Sequence, residues 1–277
     1  MSKYAVLGNP VSHSKSPLIH ALFAKQTNQA MSYTAIPREE GDFDDFVRSF
    51  FAEGGAGLNV TVPFKGNAFA LAESCSPRAQ LAKAVNTLFL DDEGNICGDN
   101  TDGIGLVTDI RQNNGVDLSG QRLLILGAGG AVRGALAALV YEQVATITVV
   151  NRTLAKAEAL VDEFESMAAV EALSYEALQD SANQGRSFDL IINGTSSSLQ
   201  GEMPQLDGSL LANGCCCYDL MYAASDTLFV QWAKQQGAAL SIDGLGMLVE
   251  QAAEAFALWR GVRPNTAPVI AELRVQA

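Results

Sequence analysis

The stretch Arg122-Leu-Leu-Ile-Leu-Gly-Ala-Gly-Gly-Ala-Val-Arg-Gly-Ala-Leu-Ala-Ala-Leu-Val140 decides the fold. Residues 122–126 read as a buried strand, 127–133 as a glycine-rich turn and 134–140 as a helix. That order suits a dinucleotide. Glycine lets the backbone approach a pyrophosphate, and the helix N-terminus turns free N–H groups toward its charge. Val132 fills the third glycine position. The GxGxxG pattern is therefore incomplete, and the strand–turn–helix context carries the reading. The next strand, Thr146-Ile-Thr-Val-Val150, is rich in β-branched residues and ends on Asn151-Arg152-Thr153. An NAD site usually has Asp or Glu there, to hold the ribose 2′-hydroxyl. A guanidinium instead stacks on adenine and grips a 2′-phosphate with two donors, so NADP is the expected cofactor. In the plain alternative, Arg152 merely closes the strand and Thr153 merely caps the next helix.

Strand and helix signals alternate along the whole chain, which indicates an α/β fold with mainly parallel sheets. Strands are expected near Tyr4–Leu7, Tyr33–Ile36, Gly57–Thr61, Asn86–Leu90, Leu190–Asn193, Cys215–Asp219 and Ala239–Ile242, with Ile96–Gly98 as a hairpin return. Helices are expected near Pro17–Gln26, Phe43–Phe51, Gly66–Ala72, Asp102–Asn113 and Met247–Trp259. Because the dinucleotide unit starts mid-chain, two α/β domains are expected. One is an N-terminal substrate-binding and catalytic domain with a mainly parallel sheet, residues 1–101, completed by C-terminal helices within 244–277. The other is a Rossmann-type NADP-binding domain, residues 102–243, with the active site expected in the cleft between the two.

Composition narrows the function classes. The chain has 277 residues, 48% of them hydrophobic and 18% charged, as a globular protein does. No run of about 18 apolar residues suggests a membrane span, and the opening Met-Ser-Lys-Tyr-Ala-Val-Leu-Gly lacks a signal-peptide layout. A cytoplasmic protein is expected, as a monomer or homodimer. The net charge of −13 disfavours nucleic acid and anionic membranes as partners, so local donors must hold an anionic small-molecule substrate. The five cysteines (Cys75, Cys97, Cys215, Cys216 and Cys217) form no C-x-x-C pair and read as buried reduced thiols. With only His13 and His20, a histidine-based metal site or Ser-His-Asp triad has little to draw on, and no metal is expected.

Three polar runs carry the chemistry. In Gly8-Asn-Pro-Val-Ser-His-Ser-Lys-Ser-Pro17, Ser16-Pro17 is a good helix start with Ser16 as N-cap. Capping leaves Ser12, Ser14 and Lys15 unexplained, and hydroxyls at a helix N-terminus make a carboxylate cradle. Asn59-Val-Thr-Val-Pro-Phe-Lys65 ends a strand, where open α/β sheets bind ligands. The alternative for Lys65 is a solvated surface lysine. Asp99-Asn-Thr-Asp-Gly-Ile-Gly105 leads into a helix, so Asp102 either serves the helix dipole or pairs with Lys65. On the last long helix Gln251 shares a face with Leu248, Ala252, Ala255, Phe256 and Trp259. Its amide bonds nearby backbone or reaches a substrate hydroxyl.

Together these runs resemble the shikimate dehydrogenases. The likeness extends in order through Gly8–Pro17, Asn59–Lys65, Ala84–Thr87, Gly98–Gly103, the glycine turn, Asn151–Thr153, Asn193–Ser196, Tyr218–Tyr222 and Asp243–Gln251. The resemblance implies reversible, NADP-dependent interconversion of shikimate and 3-dehydroshikimate, run reductively in aromatic amino-acid biosynthesis. It implies that Ser14 and Ser16 hold the substrate carboxylate, and that Thr61, Asn86, Tyr222 and Gln251 contact carboxylate or hydroxyls. Lys65 and Asp102 would form the catalytic pair. NADP would lie on Gly127, Ala128, Gly129, Gly130 and Ala131 and on Asn151, Arg152, Thr153, Leu154, Ala155 and Lys156, with Leu220 and Gly244 bordering the nicotinamide. Four features depart from the family pattern: Ala21, Pro77, Ser198 and the proline-free segment Tyr222–Leu228. The competing readings are a quinate/shikimate dehydrogenase of broader cofactor use and a non-catalytic NADPH-binding protein on the same fold. A methylene-folate-type dehydrogenase lacks the support of the serine cradle.

Overall fold

The structure, a computed structural model, describes residues 1–195, 197 and 202–275. The chain divides into two compact units, 1–105 with 248–273 and 106–247 with 274–277.

The first unit is built on β1 (Ser2–Gly8), α1 (Ser16–Gln26), β2 (Met31–Pro37), α2 (Phe43–Ala52), β3 (Gly55–Val60), α3 (Lys65–Leu71), β4 (Ser74–Cys75), α4 (Pro77–Ala82), β5 (Thr87–Leu90) and β6 (Ile96–Asp99). Its six-stranded sheet has the order β2-β1-β3-β5-β6-β4. β5 alone runs against its neighbours, because the short turn from β5 to β6 makes a hairpin. Crossover helices cover the parallel part. On α2, Phe43, Val47 and Phe51 recur at helical spacing and are buried against Leu7, Leu58 and Phe64. Pro77 opens α4, where its missing N–H costs nothing, and the Ser76 hydroxyl accepts from the Ala79 N–H at 3.2 Å.

The second unit carries β7 (Arg122–Leu126), α6 (Gly130–Leu139), β8 (Thr146–Val150), α7 (Leu154–Val161), β9 (Val170–Leu173), α8 (Tyr175–Asn183), β10 (Phe188–Asn193), β11 (Leu211–Asp219), α9 (Leu228–Gln235) and β12 (Leu240–Ile242). All its strands are parallel, in the order β12-β11-β10-β7-β8-β9. This is the doubly wound arrangement, with its switch point between β7 and β10. The three consecutive cysteines are buried on β11, and Cys215 and Cys217 face one core with Cys216 between them.

Helix α5 (Asp102–Thr108) is shorter than the expected Asp102–Asn113 and passes into one π-helical turn, Asp109–Asn113. There the Asp109 carboxylate accepts from the Tyr218 hydroxyl at 2.6 Å and the Asn113 amide at 2.8 Å. The helices α10 (Leu245–Arg260) and α11 (Ala267–Val275) complete the chain. Among the described residues no helix is long and apolar enough to cross a membrane.

His20 on α1 is fully buried and stacks on Tyr33 of β2, with ring centroids 4.1 Å apart. Phe23, Phe256 and Trp259 surround it, and neither ring nitrogen has a hydrogen-bond partner. Burial lowers its pKa to about 3, with the Asn59 side chain opposing the shift. The unfolded chain therefore takes up a proton below the ordinary value near 6.5 that the folded chain refuses until about 3. His20 contributes stability that is complete above 6.5 and lost as pH falls, at about 1.4 kcal/mol per pH unit within that window. Urea titrations from pH 7 to 4 should show His20→Phe losing less stability with acid than the wild type. Equal slopes would refute this account.

Candidate active site

The C-terminal ends of β3 and β6 each lead to a helix, and the first residues of those helices face each other. Lys65 opens α3 and Asp102 opens α5, and the Lys65 Nζ donates to Asp102 Oδ2 at 2.7 Å. Their side chains keep 30% and 17% of their exposure, enough for a substrate to reach the pair.

The other Asp102 oxygen, Oδ1, accepts from the Asn86 amide at 2.9 Å. Asn86 is fixed on its other side, where its Oδ1 accepts from the Thr101 N–H and from the Thr87 hydroxyl, both at 2.9 Å. Gln251 reaches the same cluster from α10. Its Nε2 donates to the Leu248 carbonyl at 2.8 Å, and its Oε1 accepts from the Thr101 hydroxyl at 3.4 Å and the Asn86 amide at 3.5 Å. The backbone bond expected for Gln251 is thus present on its nitrogen, while its oxygen faces the polar cluster. Gly105 permits this approach, since a Cβ there would lie 2.8 Å from the Gln251 backbone nitrogen.

The turn carrying Asp102 is anchored from below. Arg78 grips Asp99 through Nε at 2.8 Å and Nη2 at 2.6 Å, and Ser76 adds a further bond to that carboxylate. Burial alone would raise the Asp99 pKa, yet the Arg78 and Ser76 bonds hold it below the ordinary carboxylate value. Asp99 keeps its charge and receives the Asn100 N–H at 2.7 Å.

At the end of β1 the hydroxyls are arranged differently from the expectation. Lys15, not Ser16, occupies the N-cap of α1, and Ser16 is its first helical residue. Ser14 supplies the capping oxygen, accepting from the Ser16 N–H at 3.2 Å. The Ser16 N–H, one of those that no helical carbonyl reaches, is thus satisfied from two residues upstream. Ser16 is buried, and Ser14 and Thr61 are half-buried.

In the second unit Gly127 ends β7 with φ +106°, a backbone region that side chains rarely adopt. Its N–H donates to the Val150 carbonyl at 2.7 Å. A Cβ built on Gly129 or Gly130 would meet no atom within 4 Å, so open space lies over the turn. Gly129 is the N-cap of α6 and offers no side-chain cap, which leaves first-turn N–H groups free for an anion. Beside this turn, Asn151 donates to the Thr153 carbonyl at 2.9 Å and stiffens the loop after β8. Thr153 sits at the N-cap of α7, but its side chain makes no capping bond. Residues 152–156 (Arg152, Thr153, Leu154, Ala155 and Lys156) are exposed, and Arg152 forms no ion pair among the described residues. A dinucleotide's pyrophosphate and an adenosine phosphate therefore fit the donor set present. Across the switch point, the Leu220 N–H donates to the Asn193 carbonyl at 2.9 Å and the Gly244 N–H to the Met221 carbonyl at 3.0 Å. Tyr222 is half-buried, and its pKa is raised by burial and by the nearby Asp243 charge.

Three family models match in chain order. They are the shikimate dehydrogenase substrate binding domain over residues 6–88, shikimate / quinate 5-dehydrogenase over 109–200 and the shikimate 5′-dehydrogenase C-terminal domain over 244–274. The chain belongs to the shikimate dehydrogenase family. It is 54% identical over 274 residues to shikimate dehydrogenase (NADP(+)) of Aeromonas salmonicida, covering 99% of this chain and 98% of that one. Among solved structures, an Ael1 enzyme from Pseudomonas putida superposes with a TM-score of 0.92 at 48% identity, over 99% of this chain and 98% of that one. The shikimate 5-dehydrogenase from Thermus thermophilus, in complex with NADP(H) and shikimate, superposes with a TM-score of 0.86 at 32% identity, over the whole of both chains.

Within this shikimate dehydrogenase fold, the structure joins Lys65, Asp102, Asn86 and Gln251 in one hydrogen-bonded cluster and sets Ser14 against Ser16. The glycine turn, residues 151–156, Leu220, Tyr222 and Gly244 belong to the second unit. Ser196 and Ser198 lie outside the described residues. Thr101 and Thr87 were missed as members of the cluster, although each adjoins a residue the sequence singled out. Arg78 and Tyr33 had no motif to mark them, because what they contribute is visible only across the sheet.

Proposed function

We propose that this chain is an NADP-dependent shikimate dehydrogenase that reversibly reduces 3-dehydroshikimate to shikimate. The observation that carries the reading is the Lys65–Asp102 pair at 2.7 Å, held by Asn86 beside Gln251. Ser14, Ser16 and Thr61 bind the substrate carboxylate and adjoining hydroxyls, with Tyr222 as a further donor. Gly127 to Ala131 hold the pyrophosphate of NADP, and Arg152 and Lys156 hold its 2′-phosphate. Bound there, NADPH supplies the hydride for the carbonyl carbon of the substrate.

In the reductive direction, the Lys65 ammonium gives a proton from Nζ to the oxygen that becomes the hydroxyl. In oxidation the neutral amine takes that proton back. Asp102 orients Lys65 through Oδ2 while Asn86 holds Oδ1, so the carboxylate cannot rotate away from the lysine. Fixing the donor in register with the reacting oxygen supplies much of the acceleration. Five free thiols, four of them buried, suit a reducing cytoplasm.

Rates read from the absorbance of reduced nicotinamide, with shikimate or quinate and NADP or NAD, test this reading. Shikimate with NADP should lead every other combination by at least tenfold in kcat/KM, the factor that about 1.4 kcal/mol supplies. Comparable rates with quinate and NAD would favour the broader quinate/shikimate class, and no turnover at all would favour a binding protein.

A further inference from the structure

A chain of buried and half-buried hydrogen bonds runs from Tyr33 on β2 to Asp102, and its direction is determined at every step. The Tyr33 hydroxyl donates to Asn59 Oδ1 at 2.7 Å. With its oxygen so engaged, Asn59 turns its amide nitrogen toward the Asn86 carbonyl and the Thr87 hydroxyl, both at 3.1 Å. Thr87 accepts that bond and donates its own proton to Asn86 Oδ1 at 2.9 Å. The Asn86 amide nitrogen is then left facing Asp102 Oδ1 at 2.9 Å. An amide can be placed either way round by shape alone, and only its partners decide which end is oxygen. Here the Thr101 N–H and the Thr87 hydroxyl both mark the Asn86 oxygen, and the Thr87 bond is the one that the phenol reaches through Asn59.

The sheet makes this relay possible. Tyr33 pairs with Tyr4, Tyr4 with Gly57, Asn59 with Thr87 and Thr87 with Asp99. The polar line therefore crosses from β2 through β3 to β5 and passes from Asn86 to the start of α5. The Tyr33 ring is clamped by its stack on His20, at 4.1 Å and 7°. Burial raises the Tyr33 pKa well above the ordinary value, only partly opposed by the Ser16 hydroxyl, so the phenol keeps its proton.

We propose that Tyr33 is a positioning residue for the substrate site, reinforcing through Asn59 and Thr87, alongside the Thr101 N–H, the orientation of the Asn86 amide that holds Asp102 against Lys65. This rests on the dehydrogenase reading above. It adds that the alignment of the proton-transfer pair depends on a hydroxyl that touches neither substrate nor cofactor.

Tyr33→Phe removes that hydroxyl and keeps the ring stack, and Thr87→Val cuts the relay one step later at nearly constant shape. Each should lower kcat/KM for shikimate about tenfold while KM for NADP stays within about twofold of wild type. A merely structural role would not separate the two ligands. Because both variants break one relay, the double variant should be about as impaired as the worse single variant, whereas independent effects would multiply. Tyr4→Phe, which loses a buried hydroxyl at the start of β1, serves as the control and should keep wild-type kcat/KM. If both single variants match wild type on shikimate, if the KM for NADP rises in parallel, or if the losses multiply, the relay is overturned. Thr87→Val gives the answer alone should Tyr33→Phe fail to fold. A wild-type enzyme that does not oxidise shikimate would count against the dehydrogenase reading instead, and that result is recognised before any variant is made.

Discussion

Lys65→Ala is expected to lower kcat for shikimate oxidation about a thousandfold while KM for shikimate changes little. A positioned proton donor or acceptor acts on the barrier rather than on the ground-state complex, and a thousandfold corresponds to about 4 kcal/mol of lost transition-state stabilisation. In the structure the ammonium is held by one Asp102 oxygen, while Ser14 and Ser16 have no part in that bond, so the proposed binding and proton-transfer roles fall on different residues. Steady-state rates over a range of shikimate concentrations decide the matter. A large rise in KM at near-normal kcat would show that Lys65 only binds substrate.

Arg152→Ala should collapse the preference for NADP over NAD by about a hundredfold. Two charge-assisted hydrogen bonds to a 2′-phosphate, at about 1.5 kcal/mol each, account for that factor. The loss should fall on KM for NADP, with rates on NAD close to wild type. Arg152 is exposed, without an ion-pair partner among the described residues, and next to the loop stiffened by Asn151, so its guanidinium has no competing ion pair to break first. Equal losses on both cofactors would point to stacking on adenine, which they share. No change on either would leave Arg152 as the closure of β8. The contribution of the phosphate contact should also shrink as salt is raised, since the site is open to solvent.

Much of the candidate site was legible because its residues sit in short runs. The glycine turn, the Asn151–Thr153 loop and the segments ending at Lys65 and Asp102 each lie at a strand's C-terminal end, where the pattern of apolar residues stops. Local propensity misplaced what depends on neighbours. Ser16 reads as a cap from its place before Pro17, yet Ser14 does the capping. The helix from Asp102 reads as continuous to Asn113, yet the bonds drawn to Asp109 accompany a π turn. Elements such as β4 and α4 are too short for periodicity to show them.

The α/β class, the mid-chain dinucleotide unit, the lean toward NADP and the candidates for the proton-transfer pair could be read from the chain alone, since each is carried by short runs or by the alternation of such runs. Only the tertiary structure decided which way the Asn86 amide points, that Gln251 joins it from 165 positions away, and that Tyr33 lies at the head of the line to Asp102. The physical reason is that a hydrogen bond's direction is set by its partners, and these partners are brought side by side by sheet register and helix packing, which no local stretch of sequence encodes.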